Sequence, residues 1–164
     1  GPPHGAPMIP GSEGFKNAFR PLLPAVRHIR HNHFDDLQLI TEQTAAVVIE
    51  TVQGEAGVRV PAPGYLPALR LRCTEVGALL ILDEIQCGFG RTGTFWAFEQ
   101  FGIEPDILLT AKGMGGGMPI GAFISPQAIM AAFKTDPILG HCTPIGGAPG
   151  SCAAWLRSLH ASQD

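Results

Sequence analysis

The sequence predicts an α/β fold, a mostly parallel sheet with flanking helices, and three apolar runs carry that expectation. TAAVVIE (44–50), ALLILDE (78–84) and PDILLTAKG (105–113) show no alternation of polar and apolar residues, as expected of strands buried on both faces of a parallel sheet. Between the first two lies a segment with apolar residues at helical spacing, and loops rich in glycine and proline separate the rest.

Taken in order, GFKNAFRPLLP (14–24) holds helix-forming residues closed by prolines, and VRHIRH (26–31) alternates like a short strand. TAAVVIE is the first buried strand, and a Gly/Pro loop follows it. In YLPALRLRCTEVG (65–77), Leu66, Leu69, Leu71, Cys73 and Val76 recur at roughly helical spacing, and Gly77 is placed to cap the helix. ALLILDE is the second strand. A glycine-rich turn and the aromatic segment FWAFEQFG (95–102) lead to the third strand, which runs into a lysine. IGAFIS (120–125) reads as a fourth strand, and PQAIMAAFK (126–134) as a helix with proline in its first turn. In open sheets of this kind ligands sit at the carboxyl ends of the strands, where Glu50, Asp83 and Lys112 fall.

Composition narrows the function classes. A chain of 164 residues, 45% hydrophobic and 15% charged, is long enough to bury a core, and one domain is the default. A formal charge of −3 supplies no basic surface for nucleic acid or acidic lipid, so small molecules or other proteins are the expected partners. Four cysteines without C-x-x-C spacing suit a reducing, cytoplasmic compartment. No apolar run reaches the roughly 20 residues of a membrane span, and GPPHGAPMIPG at the start lacks a signal-peptide pattern.

Several local motifs invite chemistry. Asp83-Glu84 after an apolar strand is how P-loop enzymes present a magnesium-binding acid, but no G-x-x-x-x-G-K-[ST] loop accompanies it. GFGRTG (88–93) is a literal G-x-G-x-x-G, yet DEIQC separates it from its strand, unlike a dinucleotide-binding turn; a tight turn without a ligand is the plainer reading. His28, His31 and His33 form H-x-x-H-x-H with no evident fourth ligand, so no metal site is expected. Lys112 stands directly after a strand and before GMGGGMP, where glycine allows close backbone approach.

In combination these residues resemble a known family. E-x-x-Q-G-E-x-G at 50–57, L-x-D-E-x-Q-x-G-F-G-R-T-G at 81–93 and PDI-x-x-x-AKG at 105–113 occur in the order found in class III (fold type I) pyridoxal-phosphate-dependent aminotransferases, nearest in motif to acetylornithine and ornithine aminotransferases. A weaker resemblance runs from about Gly11 to Ser151. It implies pyridoxal 5'-phosphate as cofactor, held as a Schiff base by Lys112, whose neutral amine then moves the substrate proton. By the same resemblance Asp83 faces the pyridine nitrogen and keeps the ring an electron sink. Gln86 hydrogen-bonds the phenolic oxygen as a neutral amide. Glu50 and Glu55 fall on the substrate side, the second paired in ornithine-type enzymes with an arginine that would lie beyond residue 164.

The chain also departs from the family pattern. Pro144 and Ile145 occupy the threonine and phenylalanine positions of the phosphate-gripping T-F-G-G, leaving Thr143 as the nearest hydroxyl. HGAPMIPGSEG (4–14) matches the family's approach to this domain with prolines substituted. The expectation is therefore residues 1–164 as part of the large cofactor-binding domain, incomplete at both ends and without the small C-terminal domain. The expected reaction moves an amino group from an ornithine-type or other ω-amino donor to a 2-oxo acid, 2-oxoglutarate, with the full-length protein a homodimer. Alternatives are a 4-aminobutyrate transaminase, an aminomutase or a lyase on the same scaffold, or a catalytically inactive fragment.

Overall fold

The computed structural model describes residues 26–134 and 147–161, which divide into two compact units between Leu39 and Ile40. The helix expected over 14–24 and the site candidate Thr143 lie outside the described residues.

In the first unit, Asp36 lies in a 3₁₀ turn (Phe34–Leu39) and captures Arg30. The Arg30 backbone N–H and Nε donate to Oδ2 at 2.8 and 3.0 Å, and Nη2 donates to Oδ1 at 2.6 Å. That capture overturns the strand expected over 26–31, where residues 26–30 are irregular and His31 and Asn32 form a turn. The Arg30 N–H that a ladder would use is taken by a carboxylate six residues ahead.

The second unit is built on a four-stranded sheet, β1 (Ala46–Glu50), β2 (Leu79–Asp83), β3 (Ile107–Thr110) and β4 (Ala122–Ile124), in that spatial order. β1 pairs with β2 and β2 with β3 in parallel, while β4 lies antiparallel to β3, so the mostly parallel α/β expectation holds. The connection from β1 to β2 is α1 (Tyr65–Val76), which packs on β2. Tyr65, Leu66, Leu69 and Cys73 are fully buried. Leu71 is 61% exposed, contrary to expectation, because two residues past Leu69 it points about 200° around the helix. The helix ends at Gly77, whose left-handed φ of 75° lets the N–H groups of Gly77 and Ala78 reach the Thr74 and Cys73 carbonyls.

Burial alternates along the strands instead of covering both faces. Leu80, Leu82 and Leu108 are buried, their neighbours only partly so, and Val48 in β1 remains 37% exposed. Among the described residues β1 has a single strand neighbour, β2, which accounts for its thinner cover. At the opposite edge the helix expected over 126–134 is one α turn, α2 (Gln127–Met130), running into a 3₁₀ turn over Ala131–Phe133. A third helix, α3 (Pro149–Ala161), packs against the turn that follows β3.

Asp106, just before β3, ties the amino end of β2 to the helix α1 and to the residue after β4. Its Oδ2 accepts the Leu80 N–H and Arg70 Nη1, both at 2.7 Å, and its carbonyl accepts the Ser125 hydroxyl at 2.8 Å. At the other end the register sets Glu50 level with Asp83 and Asp83 level with Leu109.

Candidate active site

Register sets which side chains meet there. Glu50 is the partner of Asp83, and Asp83 of Leu109, so both carboxylates project from one face of the sheet at adjacent strand ends. Thr51 and Glu84, one residue further, project from the opposite face. The two members of the acid pair therefore point to opposite faces of the sheet, Glu84 into the buried one.

The two acids have different surroundings. Asp83 is half-buried, and its Oδ1 accepts the Ile85 N–H at 2.9 Å, while among the described residues nothing donates to Oδ2. Glu84 is 1% exposed. Its carboxylate accepts the Thr51 hydroxyl at 2.9 Å and the N–H groups of Ala97 and Phe98, each at 2.8 Å. Burial pushes the Glu84 carboxyl up, and those three donors offset part of the rise. Glu84 thus stitches the tips of β1 and β2 to the aromatic segment.

The loop after β1 folds back beside this tip. Glu50 Oε2 accepts the Gly54 N–H at 2.9 Å, and Gln53 and Arg59 exchange backbone hydrogen bonds across the loop. Glu55 is thereby presented to Gln86, whose Nε2 donates to Glu55 Oε1 at 2.9 Å. The Gln86 amide lies directly over Gly54, where a Cβ would strike its oxygen.

Lys112 follows β3 and opens a 3₁₀ turn, Lys112–Gly115, with its backbone in the left-handed region at φ 40°. Its side chain is exposed and lines a cleft of about 400 Å³ together with Glu55, Gln86, Gly88, Arg91 and Gly113. A larger depression of about 600 Å³, bordered by Thr41, Arg72 and Val76, lies at the amino ends of the strands, away from every candidate residue.

The structure therefore brings Lys112, Gln86 and Glu55 to one cleft, whereas Asp83 and Glu50 are paired in register with each other at the strand ends and do not line it. Arg91, Gly88 and Gly113 also line the cleft and were not singled out from sequence. GFGRTG gave the only signal for the first two, and it pointed to a dinucleotide. Among the described residues no group of three or more His, Cys, Asp or Glu side chains is placed to hold a metal ion. None of the described helices is long and apolar enough to cross a membrane.

The mostly parallel sheet thus carries an amine just past the end of β3 and a carboxylate at the end of its neighbour β2. The family model described as aminotransferase class-III matches residues 9–164, and the chain belongs to that family. It is 44% identical over 167 residues to a putrescine aminotransferase of Pectobacterium atrosepticum, an alignment covering 95% of this chain and 35% of that protein. Its fold is similar to that of the ornithine aminotransferase of Toxoplasma gondii, with a TM-score of 0.90 and 34% identity over 100% of this chain and 39% of the other. Another structure of that enzyme is described as showing partial occupancy of PLP at the active site. An N-acetylornithine aminotransferase from Stenotrophomonas maltophilia superposes with a TM-score of 0.73 at 35% identity, covering 84% of this chain and 35% of its own. The chain thus spans little more than a third of the length of these relatives.

Proposed function

We propose that the protein is a pyridoxal-phosphate-dependent aminotransferase that carries its cofactor covalently through Lys112 Nζ and moves an amino group from an ornithine-type or other ω-amino donor to 2-oxoglutarate. The observation that supports this most directly is the meeting of Lys112, Gln86 and Glu55 in one cleft.

The residues present fit the group. When bound, pyridoxal phosphate supplies an electron sink for the charge left on the carbon that bears the transferred amine. Asp83 Oδ2, uncommitted within the described residues, can accept a hydrogen bond from the protonated ring nitrogen, while the Ile85 N–H holds the other oxygen in place. Gln86 spends one amide hydrogen on Glu55 and keeps a second for the ring's phenolic oxygen. Lys112 Nζ, when neutral, takes the proton from the amine-bearing carbon of the donor. Glu50 acts at one remove, by fixing the loop that carries Glu55.

Thr143 is the proposed phosphate-side hydroxyl, and Glu55 the partner of a substrate-binding arginine elsewhere in the protein. Residues 1–164 are proposed as part of the large cofactor-binding domain of a cytoplasmic homodimer. The test is amino transfer from putrescine, ornithine or 4-aminobutyrate to 2-oxoglutarate, followed as glutamate formed in the presence of pyridoxal phosphate. Transfer with one of these donors that is lost in Lys112→Ala supports the reading, and no glutamate from any of them refutes it.

A further inference from the structure

The GFGRTG segment has no role in the chemistry above, yet it lies against the lysine turn. Two bulky residues there hold left-handed backbone, Phe89 at φ 57° and Lys112 at φ 40°. Side chains with a Cβ rarely remain in that region unless their surroundings over-determine it. Here the two positions brace each other. A Cβ on Gly113, the residue after Lys112, would sit 3.2 Å from the Phe89 Cβ, tighter than an ordinary contact, so the two turns are closely packed.

Phe89 is itself held from behind. Its ring centroid lies 5.0 Å from that of Phe95 and 5.1 Å from that of Trp96, and those two rings meet edge to face at 4.8 Å. The Gly90 N–H donates to the Phe95 carbonyl at 3.1 Å and closes the loop. The aromatic segment is fixed to the sheet through the Ala97 and Phe98 N–H groups on Glu84. A continuous series of contacts therefore runs from the tip of β2 through Glu84, Trp96 and Phe89 to Gly113 and Lys112. On its far side the lysine turn is closed by the Met114 N–H on the Ala111 carbonyl at 2.9 Å and by Ile120 packed against Gly115.

We infer that Phe89 is a positioning residue for Lys112: its ring, packed against Phe95 and Trp96, keeps its Cβ close over Gly113 and so holds the lysine in the left-handed turn that presents Nζ to the cleft. This rests on the proposed role of Lys112 as the cofactor-bearing amine. Without the wedge the turn relaxes toward ordinary backbone and the amine leaves its place in the cleft with Gln86.

The test compares wild type, Phe89→Ala and Phe89→Tyr, each shown folded by circular dichroism. Two readouts are taken with pyridoxal phosphate: the rate at which a borohydride-trapped adduct accumulates on Lys112, located by peptide mass, and the pH profile of the bound cofactor's absorbance. The expected result is a trapping rate about tenfold or more lower in Phe89→Ala, with a displaced pH profile, and both near wild type in Phe89→Tyr. If Phe89→Ala does not fold, Phe89→Leu, which lacks the ring, is read in its place with the same expectation. A folded, ringless variant that matches wild type in both rate and profile overturns the inference while leaving the proposed function standing. A wild type that forms no adduct on Lys112 overturns both.

Discussion

Replacing Glu84 with alanine removes one carboxylate and strands three donors: the Thr51 hydroxyl at 2.9 Å and the Ala97 and Phe98 N–H groups at 2.8 Å. With the side chain 1% exposed, water has little access to take its place. A buried donor left unpaired costs about 1–3 kcal/mol, and relief of the carboxylate's own desolvation returns part of the sum, so the net loss of stability should be about 3–5 kcal/mol. Glu84→Gln keeps one oxygen for two of the donors and turns an N–H toward the third, for a loss of about 1–2 kcal/mol. Urea unfolding at an unchanged slope separates the three proteins by midpoint. The effect also has a pH signature. Burial raises the folded carboxyl above its unfolded value of about 4.3, so the folded state binds more protons between the two values and stability falls as pH rises through that window. Wild type should show that decline and Glu84→Gln should lack it. A Glu84→Ala stability within about 0.5 kcal/mol of wild type would refute the reasoning.

Three further outcomes are expected. Arg30 holds the Asp36 carboxyl well below the usual carboxylate range, so the pair's stabilisation is present above about pH 4 and is lost as pH falls toward the folded value; Asp36→Asn should flatten the acid limb of a pH melt. Gly54→Ala should push the Gln86 amide off its place over the loop without unfolding the chain, since the atom struck is the end of a flexible side chain. The absorbance of bound cofactor should shift, while the melting temperature stays close to wild type. Leu69→Ala should cost about 2–5 kcal/mol in urea unfolding, whereas Leu71→Ser on the exposed side of α1 should stay within about 0.5 kcal/mol of wild type.

Much of this site was legible in the residues because strand ends and motifs are local features. The runs ending in Asp83 and Lys112 mark β2 and β3 directly, and parallel pairing then sets Glu50 beside Asp83. The alternation of strand side chains separates the roles of Asp83 and Glu84, although the sequence shows them only as a pair. Contacts that depend on packing were not legible. VRHIRH alternates like a strand, and nothing in that pattern announces that Asp36 will take the Arg30 N–H. Leu71 is apolar, and only the helix phase set by Leu66, Leu69 and Cys73 places it outside. Glycine after Lys112 does signal close approach, but the group that approaches in the structure is Phe89, drawn in by Phe95 and Trp96. The left-handed backbone at Lys112 follows from that packing and has no signature in residue type.

The central claim is that Lys112 is the residue that bears the cofactor. The chain has three lysines, Lys16, Lys112 and Lys134, so the other two serve as internal controls. Borohydride reduction of the protein equilibrated with pyridoxal phosphate at low excess, followed by peptide mass mapping, should place the cofactor on Lys112 and leave the controls unmodified. Equal labelling of all three lysines, or none on Lys112, would contradict the account.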